Sequence, residues 1–155
     1  MILLIKNTYD MKNLALTFTI LILTLGLAMA NPTEEKKIKD LINKAYVDGI
    51  HNNGNLDDTR SGFHPDFEMF INRNGNFSKV SISDWIKRIE ASRAKNPNQT
   101  IVKAVADYIF IDITGNTASV KLDLKKEGKT IFTDYLFLYK INDQWKIVSK
   151  VFHSH

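Results

Sequence analysis

The sequence predicts an α+β domain in which N-terminal helices cover one face of a curved antiparallel sheet. Before Thr100, apolar residues recur mainly with the helical period of about 3.6, and after it they alternate with period 2. Four alternating segments with short turns between them are typical of an antiparallel meander. A sheet curled around a helix leaves a cone-shaped fold with a cavity at its open end, where a small molecule could bind.

Composition excludes several classes of protein and of site. The chain has 155 residues, of which 44% are hydrophobic and 25% charged, as in ordinary globular domains. It contains no cysteine, which removes disulfide scaffolds, thiol catalysis and iron–sulfur clusters. The formal net charge is only +4, with basic and acidic residues interleaved, so we expect no nucleic-acid partner. Neither a P-loop, a dinucleotide fingerprint nor a nucleophile elbow occurs, so we expect no cofactor.

Residues 1–30 have the layout of a secretory signal peptide. Lys12 precedes an apolar run over residues 14–27, and Ala28-Met29-Ala30 forms a small-x-small cleavage site. The run is shorter than the roughly 20 residues of a membrane span, although an uncleaved anchor that includes residues 2–5 remains an alternative. The sequence leaves open whether translation starts at Met1 or Met11.

These features predict cleavage after Ala30 and export to a bacterial periplasm or exterior. The membrane is then a partner only through the signal segment before cleavage. Residues 31–155 show no internal repeat or low-complexity linker, so they are predicted to form one domain.

Helical periodicity predicts two amphipathic helices and a short one between them. The first begins after Asn31 and has one face made of Ile38, Leu41, Ile42, Ala45, Tyr46 and Gly49. Gly49 and then His51-Asn52-Asn53-Gly54 are expected to end it. The short helix covers residues 55–60. The last is capped by Ser81, ends near Pro97, and has an apolar face made of Ile82, Trp85, Ile86 and Ile89.

Strands are predicted on both sides of the last helix. Residues 67–73 and 76–80 form a hairpin through Asn74-Gly75. The meander comprises four strands, at residues 101–114, around 118–125, and at 129–140 and 144–153. Ile109, Ile111 and Ile113 are predicted to share one face of the first of these strands. The outer face of this meander is partly apolar, which favours a homodimer formed through the sheet.

Five short blocks occur in an order that resembles one known group of proteins. They are Tyr46-Val47-Asp48-Gly49, Phe63-His64-Pro65-Asp66, Ile82-Ser83-Asp84-Trp85, Phe132-Thr133-Asp134-Tyr135 and Trp145-Lys146-Ile147-Val148. Over roughly residues 34–153 the chain resembles the lumazine-binding branch of the nuclear transport factor 2-like superfamily. That resemblance implies a cone-shaped α+β fold, commonly dimeric. Ketosteroid isomerase, the SnoaL-related cyclases and scytalone dehydratase belong to the same superfamily, so the fold alone does not assign an activity.

Asp134 is the most informative acidic residue. It shares strand parity with Phe132, Leu136 and Leu138, so it lies on an apolar face where a carboxylate must be paired, hydrogen-bonded or protonated. Lys150 is the candidate partner on the next strand. Two interpretations remain open: a structural Asp134–Lys150 pair, or a pocket acid that meets a ligand.

Tyr46 and Trp85 are the other predicted ligand contacts. Tyr46 falls on the inner face of the first helix, where the resemblance to ketosteroid isomerase implies a hydrogen-bond donor to an oxyanion; the alternative is a core tyrosine. Trp85 is predicted to form the wall of the pocket. The positions where the resemblance would place the isomerase's catalytic base hold Phe70, Ile71 and Asn72, so isomerase activity is not expected.

Histidines supply further candidates. His64 could pair with Asp134 as an acid–base dyad, as the resemblance to the cyclases and the dehydratase implies, or it could simply hydrogen-bond the backbone. His153 and His155 lack a third ligand, so we expect no metal site.

The sequence therefore predicts an exported domain that binds a small hydrophobic or aromatic molecule through Tyr46, Trp85, Asp134, His64 and Lys150. Two alternatives stay open: a cyclase, isomerase or dehydratase that uses Asp134 and His64, and a module that binds another protein through its sheet. Ligand identity and physiological role are not predicted.

Overall fold

The computed structural model describes residues 32–155, so the predicted signal peptide lies outside the described residues. A helix α1 (Pro32–Ile42) continues directly into a π-helix (Asn43–His51). The remaining elements are α2 (Leu56–Gly62), β1 (Phe63–Arg73), β2 (Asn76–Ser81), α3 (Ile82–Lys95), β3 (Ala104–Thr114), β4 (Thr117–Lys126), β5 (Lys129–Ile141) and β6 (Gln144–Ser154). Within residues 32–155, no helix has both the length and the apolar character needed to cross a bilayer.

The first helix changes its winding halfway along. Its π-helical second half ends at His51, within the stretch from Gly49 to Gly54 that was predicted to end the helix. In a π-helix the hydrogen bonds run from residue i to i+5, so successive turns are wider, a geometry that is frequent at functional sites. The Thr59 hydroxyl of α2 donates to the Ala45 carbonyl at 2.8 Å, which ties α2 to this widened segment.

Side-chain caps start the other two helices, and the cap at Ser81 is the one that the sequence predicts. Asn55 accepts a hydrogen bond from the Asp57 amide at 2.9 Å and starts α2. Ser81 accepts one from the Asp84 amide at 3.2 Å and starts α3. Ile82 and Ile86 of α3 are buried against the sheet, as its periodicity predicts.

The sheet has six strands in the order β2-β1-β6-β5-β4-β3. All neighbours are antiparallel except β1 and β6, which are parallel, so the sheet is mixed and the expectation of a purely antiparallel sheet is wrong in that respect. The tight turns are as predicted: Asn74 and Gly75 have φ of 52° and 84°, which fits a type I′ turn. The parallel contact joins the early hairpin to the C-terminal meander in one sheet.

Bulges bend this sheet and change which residues face inward. In β3 the register shifts between Tyr108 and Phe110, so Ile109 is the extra residue and is 51% exposed. The prediction that Ile109 shares one face with Ile111 and Ile113 is therefore wrong for Ile109, since the other two side chains are partly buried. In β4 the predicted inner residues are all buried: Ala118, Val120, Leu122 and Leu124.

Candidate functional site

Three polar side chains meet in the core between the π-helix and the sheet. The Tyr46 hydroxyl donates to Asp134 Oδ2 at 2.6 Å, and Lys150 Nζ donates to the Tyr46 oxygen at 2.5 Å. Lys150 Nζ also lies 2.7 Å from Asp134 Oδ1. Tyr46 and Asp134 are fully buried and Lys150 is 3% exposed. We call these three residues the polar cluster.

Each member of the polar cluster is placed by a different element. Tyr46 belongs to the π-helix, Asp134 to the inner face of β5, and Lys150 to β6. A register shift between Phe137 and Leu138 aligns Lys150 with Leu136, so the ammonium and the carboxylate are diagonal neighbours on adjacent strands. The Asp134–Lys150 pair predicted from strand parity is present.

Burial dominates the electrostatics of the polar cluster. Desolvation raises the pKa of Tyr46 well above its usual value, and the negative charge of Asp134 raises it further. Desolvation lowers the pKa of Lys150, and Asp134 opposes that shift by favouring the ammonium form. Asp134 Oδ1 faces the ammonium without accepting a well-directed hydrogen bond. That oxygen therefore retains capacity for another donor.

Aromatic rings enclose Lys150. Its Nζ lies 4.6 Å from the centre of the Tyr46 ring and 4.9 Å from that of Phe152. Trp85 and Phe132 are 5.6 and 5.7 Å away by the same measure. Trp85, Phe132 and Phe152 are partly exposed, so these rings stand between the polar cluster and solvent. Trp85 thus lies beside the polar cluster, and its role in ligand binding stays a prediction.

His51 joins this site, although the sequence analysis missed it. Its ring lies edge-on to Tyr46 with centroids 5.0 Å apart, and 6.4 Å from the ring of Phe132. Its Nε2 is buried and has no hydrogen-bond partner among residues 32–155. Burial, together with the charges of Lys150 and Lys126, lowers its pKa to about 3, so the imidazole is neutral. His51 follows Tyr46 by five residues, a spacing that shares a face only in a π-helix.

His64 is not part of the polar cluster. It lies at the start of β1, where its Nδ1 accepts a hydrogen bond from the Asp66 amide at 3.2 Å. Asp134 contacts Tyr46 and Lys150 instead, so the predicted His64–Asp134 dyad does not form. A histidine beside a proline at a strand start is well placed to hydrogen-bond the local backbone, which was the alternative interpretation.

The C-terminal histidines do not build a metal centre. The rings of His153 and His155 meet edge to face at 4.9 Å, and His155 Nε2 lies 2.9 Å from the Thr133 hydroxyl. In the part of the chain that the structure describes, no group of three His, Cys, Asp or Glu side chains could hold a metal ion.

A surface groove of about 410 Å³ lies between α2 and α3. Its wall includes Phe63, Pro65, Ile82 and Ile86, and none of its lining residues belongs to the polar cluster. Phe63 packs edge-on against Trp85 with centroids 6.3 Å apart, and Trp85 in turn contacts Lys150. The groove is therefore separated from the polar cluster by these two rings.

Comparisons with known proteins place the chain in a family. Residues 33–153 match the model of the family described as "Putative lumazine-binding". The chain is also similar to "Aldolase FrzH" of Cladobotryum sp, at 34% identity over 111 residues, which span 71% of this chain and 83% of the relative.

Solved structures confirm the predicted fold. An NTF2-like protein from Shewanella baltica superposes with a TM-score of 0.65 at 24% identity, covering 82% of this chain and 98% of the other. An NTF2-like protein from Silicibacter pomeroyi superposes with a TM-score of 0.66 at 16% identity, covering 82% of this chain and 100% of the other. At these identities the similarity shows the fold alone, which is the cone-shaped α+β fold implied by the sequence resemblance.

Proposed function

The chain belongs to the family described as lumazine-binding, and we propose that it binds a small hydrophobic or aromatic molecule against the polar cluster of Tyr46, Asp134 and Lys150. Small-molecule binding is what the family supports, and the binding residues are our assignment. The observation that carries the assignment is a buried ion pair surrounded by aromatic rings. Such a pair is a poor source of stability compared with apolar packing, so a role in binding accounts better for its presence.

The chemistry of the site favours one class of ligand. Flat aromatic faces at Trp85, Phe132 and Phe152 favour a planar or apolar body. Lys150 and the hydroxyl of Tyr46 can donate to a ligand oxygen, and Asp134 Oδ1 can accept from a donor. A molecule with one aromatic ring and one carbonyl or hydroxyl group fits both features.

Access to the polar cluster requires movement of a ring, because the cluster is closed to solvent. Phe63 lines the groove between α2 and α3, and Trp85 packs between Phe63 and Lys150. We propose that the ligand enters from this groove when Trp85 changes its side-chain rotamer and Phe63 moves with it.

Export and dimer formation are further parts of the proposal. Export is supported by the charged, apolar and small-residue pattern of residues 1–30. Dimer formation is supported by large apolar side chains exposed on the outer face of the sheet, among them Phe110, Tyr135, Phe137, Tyr139 and Val151. A second copy of the chain would cover these side chains.

Native mass spectrometry of the full chain, purified without denaturant from the cell that makes it, tests the binding function. We expect a discrete extra mass that disappears on denaturation and is lost in Tyr46→Phe and Asp134→Asn. Tyr108→Phe is the matched control, because that hydroxyl bonds the Lys39 carbonyl outside the site. Wild-type retention of the mass in both site variants would contradict the assignment.

Catalysis on a carbonyl compound is the second candidate function, and the similarity to an aldolase favours it. Asp134 would act as the base, with Tyr46 and Lys150 donating to the carbonyl oxygen. The sequence-based alternative with His64 is not retained, because His64 does not reach Asp134.

Deuterium exchange at the carbon next to the carbonyl of phenylacetone, followed by NMR in heavy water, tests this function. We expect exchange in the wild type and in Tyr108→Phe, and a loss of at least tenfold in Asp134→Asn. Equal exchange rates in the wild type and Asp134→Asn would contradict catalysis by this carboxylate.

A further inference from the structure

We propose that Lys150 is a carbonyl-capturing amine that forms a covalent imine with an aromatic aldehyde or ketone bound at the polar cluster. The inference rests on the proposed binding function and adds a substrate class and a covalent step to it. It assigns to Lys150 a chemistry that neither a structural ion pair nor simple hydrogen bonding requires.

Lys150 differs from the other lysines in its surroundings. Of the lysines in residues 32–155, it is the one whose side chain is buried. Lysines in surface ion pairs are much more exposed: the side chains of Lys36 and Lys79, for example, are 74% and 65% exposed. Nucleophilic lysines are typically desolvated in apolar pockets, because the neutral amine is the reactive form.

A carbonyl carbon could approach Nζ if one of the surrounding aromatic rings were displaced. The ring centres of Tyr46 and Phe152 lie 4.6 and 4.9 Å from Nζ, and the partly exposed Trp85 lies 5.6 Å away. A ligand ring that replaces Trp85 in this contact would bring an attached carbonyl close to Nζ. The same displacement opens the access route from the groove between α2 and α3.

Asp134 supplies the proton transfers that imine formation needs. The Lys150 ammonium first gives a proton to the Asp134 carboxylate, 2.7 Å away. The nitrogen lone pair then forms the C–N bond while the carbonyl π electrons move to oxygen, which takes the proton back from Asp134. Asp134 removes a proton from nitrogen and returns it to the hydroxyl. That hydroxyl leaves as water, and an iminium remains beside the carboxylate.

The charge balance of this step suits a buried site. The site holds an ammonium and a carboxylate before the reaction, and an iminium and a carboxylate after it, so no net charge is created in the core. Tyr46 donates its one hydroxyl proton to Asp134 in the polar cluster, and it can turn this donor to the carbonyl oxygen as negative charge develops there. The neutral imidazole of His51 adds no competing positive charge near the amine.

Reductive trapping tests the proposal directly. The full chain is incubated with benzaldehyde and sodium cyanoborohydride, and the modified residue is located by peptide mass spectrometry. Benzyl alcohol, which has the same ring but cannot form an imine, is titrated in parallel by calorimetry to measure binding alone. Lys150→Arg and Lys150→Met remove the amine, and Lys103→Met is the matched exposed control.

We expect a benzyl adduct at Lys150 in the wild type and in Lys103→Met, at least tenfold above any exposed lysine. Both Lys150 variants should lack it. Benzyl alcohol binding without a Lys150 adduct would overturn the imine and leave the binding function standing. An adduct confined to exposed lysines would also overturn it. If neither benzyl alcohol nor benzaldehyde binds, both the imine and the proposed aromatic ligand are wrong.

Discussion

Lys150 and Asp134 depend on each other for their place in the core. Transferring an ammonium and a carboxylate out of water costs several kcal/mol per ion in a protein. Their 2.7 Å contact, with the Tyr46 hydroxyl bonded to both, offsets that cost only while both charges are present. Loss of one partner leaves an uncompensated buried charge, whereas loss of both removes the two charges and leaves the Tyr46 hydroxyl without these partners.

A double-mutant cycle measures this dependence. Lys150→Met should lower the free energy of unfolding by about 3–5 kcal/mol, because Asp134 is then buried without its counter-charge. Lys150→Met combined with Asp134→Leu should regain part of that loss, because the charges are gone but the buried Tyr46 hydroxyl then lacks a partner. Urea denaturation provides the measurement, and Lys36→Met, in an exposed pair, should change stability by less than about 1 kcal/mol. Additive losses in the double variant would show that the pair is not coupled.

His51 makes stability depend on pH. Its pKa is about 3 in the folded chain against 6.5 for an ordinary histidine, so between these values only the unfolded state takes up the proton. Stability should therefore fall as the pH is lowered from 6.5, by up to about 1.4 kcal/mol per pH unit. The pKa of Glu34 is lowered from 4.5 to about 2, so the stability that Glu34 provides is lost only as the pH falls below 4.5.

Urea denaturation between pH 6.5 and 4.5 tests this prediction with His51→Phe. The variant should keep the ring packing against Tyr46 and lose the part of the pH dependence due to His51. Phe132→Leu is the matched control, because it removes a neighbouring ring but no titrating group, so it should lower stability without changing the slope. A wild-type slope in His51→Phe would show that His51 does not titrate as described.

At the level of elements, irregular backbone places the site. The π-helix puts His51 over Tyr46, and the register shift in β5–β6 sets Lys150 opposite Leu136. Close packing between helices fixes the π-helix in turn. A Cβ at Gly62 would lie 2.3 Å from the Cβ of Ala45 and 3.0 Å from Leu41 Cδ1, so α2 approaches the π-helix too closely for a side chain.

Gly62→Ala should therefore destabilise the domain by about 1–3 kcal/mol, because two rigid Cβ atoms would overlap. Thermal unfolding followed by circular dichroism measures the effect. Ser61→Ala, at the exposed neighbouring position, is the control and should change stability by less than about 1 kcal/mol. Adding Ala45→Gly removes the overlapping atom, so the double variant should be more stable than the sum of the two single effects. Strict additivity would contradict the steric explanation.

At the level of the whole molecule, the two faces of the sheet differ in what covers them. The inner face packs on the helices, whereas the outer face exposes Phe137 and Tyr139, which are 46% and 52% exposed. In the register of the sheet, Phe137 sits between Ser119 of β4 and Ser149 of β6, at the middle of this face. This central position makes Phe137 the side chain to test for the proposed dimer.

Phe137→Glu should convert a dimer into a monomer, because it places a charge at the centre of the apolar face. Size-exclusion chromatography with light scattering measures the mass. Phe77→Glu, at an exposed phenylalanine on β2, is the matched control and should leave the dimer intact. A wild-type monomer, or a Phe137→Glu variant that remains dimeric, would contradict an interface on this face.

The chain's own periodicities were enough to predict most of the fold and part of the site. The cap at Ser81, the Asn74-Gly75 turn and the alternation along β4 are local signals, and the structure confirms them. Strand parity also placed Asp134 on an inner face, since period 2 assigns every residue of a regular strand to one face. These features depend on neighbours within a few residues. Lys150 faces Asp134 for a different reason: a register shift in β6 turns Lys150 to the same side as Trp145 and Ile147.

Only the tertiary structure decided the remainder. The parallel contact between β1 and β6 joins segments more than 70 residues apart, and no local pattern encodes that pairing. A bulge reverses the alternation of inward and outward side chains, and no pattern in this sequence predicts where it occurs. The bulge in β3 is why Ile109 faces outward. The π-helix likewise placed His51 beside Tyr46, whereas His64 accepts a hydrogen bond from the Asp66 amide at the start of β1. Local sequence sets periodicity, but bulges, wide turns and long-range pairing arise from the packing of whole elements, and these set the geometry of the site.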